Sequence, residues 1–143
     1  MQTQTETDTT QTFFRIILVE EHAEVRNALT RTLVRQLEHT IVWATPYLPT
    51  TAEELLDFEP SVIVIGLPQQ AIASLDTLID QVLVWTSNQV PVISLAAYMN
   101  LEEAYRLNQA GVFATLLKTA DSAEAIDTIK AAVKVPIKEN SHV

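Results

Sequence analysis

The sequence of 143 residues contains no cysteine and only two glycines. The absence of cysteine excludes a disulfide framework, a thiolate metal site and a cysteine nucleophile, so any chemistry must use oxygen and nitrogen groups. Neither glycine stands in a phosphate-binding glycine pattern, which argues against nucleotide binding. Long apolar runs are also absent, because the longest have five or six residues whereas a membrane-spanning helix needs roughly 20. The first residues also lack the basic and apolar parts of a signal peptide. We therefore expect a soluble, cytoplasmic protein that does not enter a membrane.

Positive charge is scarce as well. Nine Lys and Arg residues face 18 Asp and Glu residues, which gives a formal net charge of −9. Such a chain repels a phosphate backbone, so direct binding to nucleic acid is not expected. The hydrophobic fraction of 48% is enough for one domain with a real core. We therefore expect a single domain whose partner is a protein.

The most apolar stretch of the chain runs from Ser61 to Pro68 and contains the sequence Val-Ile-Val-Ile-Gly. A strand without polar alternation is buried on both faces, which is typical of a parallel sheet covered by helices. Functional groups in such sheets lie beyond the carboxyl ends of the strands. The residue at this carboxyl end is Gly66, which has no side chain.

Strand-like and helix-like segments alternate along the rest of the chain. Short apolar runs predict four further strands, at residues 15–19, 40–45, 91–96 and 112–117. Helical spacing predicts five helices, at residues 22–38, 51–59, about 75–85, 101–110 and from 121 onwards. Short connections with right-handed crossovers then give an α/β fold with a doubly wound, five-stranded parallel sheet. We expect a disordered leader at 1–12, a domain at 13–135 and a tail at 136–143.

Several helix ends carry recognisable signals. Thr51 with Glu54, and Asn100 with Glu103, have the spacing of a capping box, in which two side chains bind free backbone amides at a helix start. Gly111 is expected to close the fourth helix. Pro136 is expected to end the ordered part of the chain.

Four segments in the right order and spacing resemble the receiver domain of two-component response regulators. They lie at residues 17–22, 60–65, 91–98 and 110–118, so the resemblance covers nearly all of residues 15–133. It implies the flavodoxin-like topology of that family, with strand order 2-1-3-4-5. It also implies a role in phosphorelay signal transduction.

In that family an aspartate at the end of the third strand accepts a phosphoryl group from a histidine kinase. An acidic pair after the first strand helps to hold Mg²⁺, a Ser or Thr ends the fourth strand, and a lysine ends the fifth. Glu20 and Glu21 match the acidic pair, and Lys118 matches the lysine. The positions that depart from the pattern are Gly66 for the phospho-acceptor, Ala96 for the hydroxyl and Thr115 for an aromatic residue three positions before the lysine.

Glycine cannot attack phosphorus, so the resemblance implies a degenerate receiver, or pseudo-receiver. We expect a phosphorylation-independent protein-interaction module and no enzyme. With two carboxylates instead of three, Glu20 and Glu21 are expected to bind Mg²⁺ weakly at most, and no other cofactor is expected. A pairing of Lys118 with Glu20 or Glu21 would hold the pocket shut. Adding a carboxylate by Gly66→Asp is expected to improve Mg²⁺ binding.

The resemblance also implies where a partner binds. In ordinary receivers the face made by the fourth helix, fifth strand and fifth helix contacts partners or a second copy of the chain. The residues expected on this partner face are Glu102, Tyr105, Arg106, Gln109 and Thr115.

Other interpretations remain open from the sequence. Glu20 and Glu21 could be a solvated pair at a helix start, Lys118 an ordinary surface lysine, and Gly66 a turn glycine. The chain could instead be a two-component response regulator that accepts phosphate on a non-standard residue. A small-ligand sensor with the same topology is a weaker alternative, because no phosphate-cradling loop is visible.

Overall fold

The structure, a computed structural model, describes residues 14–67, 74–98, 100–119 and 121–141, with side chains up to residue 133. The predicted leader at 1–12 lies outside the described residues. Within them no helix is long and apolar enough to cross a membrane.

Five strands and five helices alternate in the described chain. The strands are β1 (Phe14–Val19), β2 (Thr40–Thr45), β3 (Val62–Leu67), β4 (Val92–Ala96) and β5 (Ala114–Leu117). The helices are α1 (Ala23–Gln36), α2 (Glu53–Leu56), α3 (Leu75–Ser87), α4 (Leu101–Gln109) and α5 (Ser122–Ser141).

The strands form one sheet with the order β2-β1-β3-β4-β5, and every pair in it is parallel. This confirms the predicted α/β fold with strand order 2-1-3-4-5. All six residues of β3 are buried, as expected for a central strand covered on both faces. Because all strands run the same way, their carboxyl ends meet at one edge of the sheet.

Alternate residues of the strands point to opposite faces of the sheet, where they form two separate hydrophobic cores. On one face Ile17, Ile63 and Val92 pack under α2, α3 and α4, where Trp85 is fully buried and donates its indole N–H to the Ala52 carbonyl at 2.8 Å. On the other face apolar strand residues pack under α1 and α5, whose buried side chains are Leu33, Ile126, Ile129 and Ala132. Burial of each large side chain contributes about 1.5–3 kcal/mol, so the two cores hold helices on both sides of the sheet.

The end of α4 and its start follow the sequence signals. The side chain of Asn100 accepts the backbone N–H of Glu103 at 3.0 Å, which confirms this cap. Gly111 follows the helix with φ +107, a conformation that residues with a Cβ rarely adopt. The sequence missed the cap of α3, where Ser74 accepts the N–H of Thr77.

The predicted capping box at Thr51 is wrong. The helix α2 has only four residues, and its N-cap, Ala52, is itself in helical conformation and has no side-chain hydrogen bond. The N–H of Glu54 bonds to the backbone carbonyl of Thr51 at 3.2 Å, so it does not need the hydroxyl. The prediction of a helix reaching residue 59 is also wrong, because the helix ends at Leu56.

The expectation that Pro136 ends the last helix is wrong as well, since α5 continues to Ser141. Proline removes one backbone hydrogen bond and bends a helix, but it does not compel the following residues to leave the helical conformation. The division of the chain into a domain and a tail at residue 136 stays a prediction.

The two predicted caps of α2 and α4 provide a matched pair of variants. Asn100→Ala removes the acceptor of the Glu103 amide and should lower the free energy of unfolding by about 1 kcal/mol. Thr51→Ala removes a hydroxyl that makes no cap bond and should change it by less than about 0.5 kcal/mol. Urea unfolding of both variants measures the difference, and an equal loss in both would contradict this account of α2.

Candidate functional site

The sequence-predicted pocket residues meet at the carboxyl edge of the sheet. Glu20 follows β1, Gly66 lies near the end of β3, Ala96 ends β4 and Lys118 follows β5. The ladder places Gly66 opposite Leu95, and the N–H of Lys118 donates to the carbonyl of Ala96 at 2.8 Å. Parallel pairing therefore assembles residues that lie up to about one hundred positions apart in the sequence.

Glu20 and Lys118 form a buried ion pair at the centre of this edge. The distance from Glu20 Oε1 to Lys118 Nζ is 2.9 Å, and the two side chains are 2% and 12% exposed. The angles fall short of a well-formed hydrogen bond at Oε1, so the attraction is mainly electrostatic. The other oxygen, Oε2, accepts the backbone N–H of His22 at 3.0 Å. These contacts exclude a solvated surface role for Glu20 and Lys118.

Gly66 is explained by its distance to Glu20. A Cβ at this position would overlap Glu20 Oε1, and it would lie 2.8 Å from Glu20 Cδ and 3.4 Å from Lys118 Nζ. The backbone of Gly66 belongs to β3, and its φ is outside the left-handed region, so a turn does not require the glycine. The carboxylate of Glu20 thus fills the space in which any side chain of residue 66 would begin.

The space beside Ala96 is nearly closed. Ala96 is 4% exposed, and its methyl group offers neither a donor nor an acceptor. The neighbouring void has about 10 Å³, room for no more than one water molecule. The described residues that line this void are Leu67, Ala96, Ala97, Tyr98 and Glu103.

Thr115 has a partner of its own. Its hydroxyl lies 2.6 Å from the hydroxyl of Ser94, which is 1% exposed, and the two residues face each other across β4 and β5. A short hydroxyl pair thus occupies the position where the resembling family has an aromatic ring. No sequence pattern predicts Ser94 in this role, because cross-strand neighbours depend on the register of the strands.

A second cation, Arg26, also lies at this edge and was missed in the sequence. Its Nη1 donates to the backbone carbonyl of Glu20 at 2.8 Å and to that of Glu21 at 3.3 Å. The available signal was its spacing, because Arg26 lies on the first turns of α1 directly after the acidic pair. Arg26 fixes the backbone from which the Glu20 side chain enters the pocket.

These residues do not fit the Mg²⁺ ion that receiver domains use. Of the two carboxylates expected to bind it, Glu20 is engaged by Lys118 and by the His22 amide, and residue 66 provides no third carboxylate. In the described parts of the chain no three His, Asp or Glu side chains come together as a metal site. A cation at this edge would have to compete with the ammonium group of Lys118 for the same oxygen.

The predicted partner face is only partly available. Glu102, Tyr105 and Gln109 are exposed, and Tyr105 is 64% exposed. Arg106 is half-buried and binds Asp76 of α3 through a 2.5 Å ion pair, while Thr115 bonds to Ser94. Two further large apolar residues that were not predicted are exposed beside it, namely Leu101 at the start of α4 at 79% and Tyr98 just before the helix at 64%.

Several solved structures with the same fold are receiver domains or response regulators. The chain matches a CheY-like response regulator receiver domain protein from Methanospirillum hungatei JF-1 with a TM-score of 0.69 and 17% identity, over 90% of this chain and 99% of that one. It matches a two-component response regulator of the LuxR family from Aurantimonas sp. SI85-9A1 with a TM-score of 0.67 and 20% identity, over 86% of each chain. A beryllofluoride-activated DrrB receiver domain matches with a TM-score of 0.65 and 16% identity, over 86% of this chain and 99% of that one.

No family model matches the sequence, and no curated protein sequence matches it significantly. The similarity to the solved structures, at 20% identity or less for these three, therefore establishes the CheY-like, flavodoxin-like receiver fold.

The contact between Gly66 and Glu20 can be tested by a double-mutant cycle. Gly66→Ala inserts a methyl group where Glu20 Oε1 lies and should lower the free energy of unfolding by about 2–3 kcal/mol. In a Glu20→Ala background the same change should cost less than about 1 kcal/mol, because the obstructing carboxylate is gone. Glu20→Gln is the control, since it removes the charge, keeps the volume and should preserve the full penalty.

The buried ion pair makes a second stability prediction. Lys118→Met leaves the carboxylate of Glu20 buried without its counter-charge and should destabilise the fold by about 3 kcal/mol. Lys130→Met, on the exposed side of α5, should change stability by less than about 0.5 kcal/mol. Denaturant unfolding of both variants at one ionic strength measures the contrast. Equal stability of the two variants would show that the pair is not coupled to folding.

Proposed function

We propose that this chain is an atypical receiver domain that acts in signal transduction through protein contacts and without phosphorylation. The observation that supports it is the position of the Glu20 carboxylate, which fills the space above Gly66 and pairs with Lys118. The pocket is thereby closed by the chain's own side chains. The proposal includes a cytoplasmic location, no enzymatic activity and no cofactor.

Phosphoryl transfer needs an accessible nucleophile in line with the donor. Gly66 has none, and the hydroxyl that would report a phosphoryl group is replaced by the methyl of Ala96. The two aspartates nearest to Gly66 in the sequence are Asp57 and Asp76. Asp57 follows α2, and Asp76 lies on α3 and binds Arg106. Neither aspartate replaces the missing acceptor at the end of β3.

Without a phosphoryl signal, the face around α4 stays constant or responds to another input. Its exposed apolar residues, Tyr98, Leu101 and Tyr105, give it the composition of a protein-binding surface. We propose that a protein partner, or a second copy of the chain, contacts this face through α4, β5 and α5. Glu102 and Gln109 then supply the polar rim around the apolar residues.

A second candidate function is a phosphate-accepting regulator with a non-standard acceptor. Glu20 is the residue that favours it, because its carboxylate lies beside Lys118 where the family's acceptor would be. The burial of Glu20, which as a whole residue is 1% exposed, argues against this second function, since a phosphodonor must reach the attacking oxygen. Incorporation of label from acetyl phosphate into the wild-type chain, lost in Glu20→Gln, would favour this second function.

The primary test is an amide ¹H–¹⁵N spectrum titrated with Mg²⁺ and then with beryllofluoride, a phosphoryl mimic. The closed pocket should give no saturable shifts at Glu20, Gly66 or Lys118 at millimolar Mg²⁺. Saturable shifts that spread from this edge to residues 101–109 would overturn the proposal.

The matched control is a variant with the pocket restored by Glu20→Asp, Gly66→Asp and Ala96→Thr. With Gly66→Asp alone, the new side chain would overlap Glu20 Oε1. The improved Mg²⁺ binding expected from the sequence therefore requires a shorter acid at position 20. The triple variant should bind Mg²⁺ at least about tenfold more tightly than the wild type, because two carboxylates then meet beside Lys118. Equal affinities would show that the closed pocket does not limit Mg²⁺ binding.

A further inference from the structure

The strand β2 is an unprotected edge of the sheet. It stands at the end of the strand order and pairs with β1 on one side only among the described strands. Its six residues, Thr-Ile-Val-Trp-Ala-Thr, include no charge and no proline. Natural edge strands usually carry a charged residue or a proline, or are very short, because the unpaired backbone groups of an edge strand attract other strands. The opposite edge, β5, has only four residues.

The backbone bonds show which groups of β2 point away from β1. The N–H of Phe14 donates to the carbonyl of His39, and the N–H of Glu20 donates to the carbonyl of Thr45, each at 2.9 Å. Successive residues of a strand direct their N–H and C=O groups to opposite sides. The odd-numbered residues therefore bond to β1, and the N–H and C=O groups of Val42 and Ala44 point away from the sheet.

Two large apolar side chains lie beside this free edge. Ile41 is 43% exposed and Trp43 is 42% exposed, and they share one face of β2. They are only partly covered, and the helix α2 on that face has only four residues. The ring of Trp43 contacts that of Phe58 in a tilted arrangement, with centroids 5.3 Å apart and planes 51° apart.

Negative charge surrounds the same surface. The segment that includes α2 and Phe58 carries four exposed acids, namely Glu53, Glu54, Asp57 and Glu59. Arg15, which pairs with Ile41 in the sheet, lies 4.0 Å from Glu59 and offsets part of this charge. Two copies of the chain joined through β2 would bring both acidic segments together, so their charges oppose a homodimer at this edge.

We propose that β2 is the docking site for an extended, basic segment of a partner protein, which adds to the sheet as a sixth strand. The backbone of the segment would bond to Val42 and Ala44, its apolar residues would cover Ile41 and Trp43, and its Lys or Arg residues would approach the acids around α2. The proposal relies on the proposed function only in requiring a protein partner. It holds whether or not the pocket at Gly66 is closed.

The test uses two synthetic peptides, acetyl-Arg-Thr-Val-Thr-Val-Thr-Arg-amide and its charge-reversed counterpart with Glu in place of Arg, in which the valines and the charged residues share one face of an extended strand. Hydrogen exchange of the Val42 and Ala44 amides should slow by about tenfold or more with the basic peptide, because they gain acceptors. Tryptophan fluorescence gives a second signal, since Trp85 is fully buried and a change reports Trp43. The acidic peptide should change neither signal, and added salt should weaken binding of the basic one.

Variants separate the three parts of the surface. Ala44→Pro removes one outward donor without removing a bond to β1, and Trp43→Ser removes the apolar contact without touching the backbone. Changing Glu53, Glu54, Asp57 and Glu59 to their amides removes the charge. Each change should weaken binding about tenfold or more, as expected for loss of a backbone bond, an aromatic anchor or complementary charge. The charge-matched control converts Glu24, Glu102, Glu124 and Asp127, which are exposed elsewhere, and should bind as the wild type does.

Three outcomes would overturn the assignment. The first is equal binding of both peptides, and the second is unchanged exchange at Val42 and Ala44 while shifts appear on α4. The third is protection of these amides in the absence of peptide that rises with protein concentration, which would make a second copy the occupant. None of them affects the Mg²⁺ and beryllofluoride titration, so failure here is distinct from failure of the proposed function.

Discussion

The arrangement of the carboxyl edge depends on the buried ion pair between Glu20 and Lys118. It joins the residue after β1 to the residue after β5, across the ends of β3 and β4. The two charges lie 2.9 Å apart and are almost fully withdrawn from water, so each is tolerated because of the other. The absence of a side chain at Gly66 is what allows the carboxylate to reach this position. The glycine at position 66 and the buried position of the Glu20 carboxylate therefore depend on each other.

Under the proposed function, the closed edge changes how the rest of the fold can carry a signal. A receiver fold transmits information when a new charge at the end of β3 rearranges its neighbours, and here the chain's own carboxylate already stands beside that position. Under the proposed function, communication uses the surface, where Tyr98, Leu101 and Tyr105 are exposed around α4 and β2 forms one edge of the sheet. These two surfaces share no residues, because one lies around α4 and the other lies at β2.

Sequence predictions succeeded where the structure depends on residues close together in the chain, and they failed where it depends on contacts between distant segments. The strand Thr40–Thr45 was predicted to the residue, because β-branched and aromatic residues stop there at a proline. The Asn100 cap was also predicted, since it needs only four consecutive residues. The same spacing at Thr51 failed, because the start of α2 is held by backbone bonds and by packing of Leu55 in the core. Pro136 did not end α5, which shows that a local stop signal is a preference only.

The sequence by itself determined the class of fold, the order of its elements and the identity of the residues at the carboxyl edge. Apolar periodicity and helix ends are local properties, and parallel strands necessarily bring their ends together. Only the tertiary structure decided that Glu20 pairs with Lys118, that its carboxylate occupies the space where a Cβ of residue 66 would lie, and that Ile41 and Trp43 stay partly exposed. These facts depend on distances of a few ångströms between distant segments, which a linear pattern does not contain.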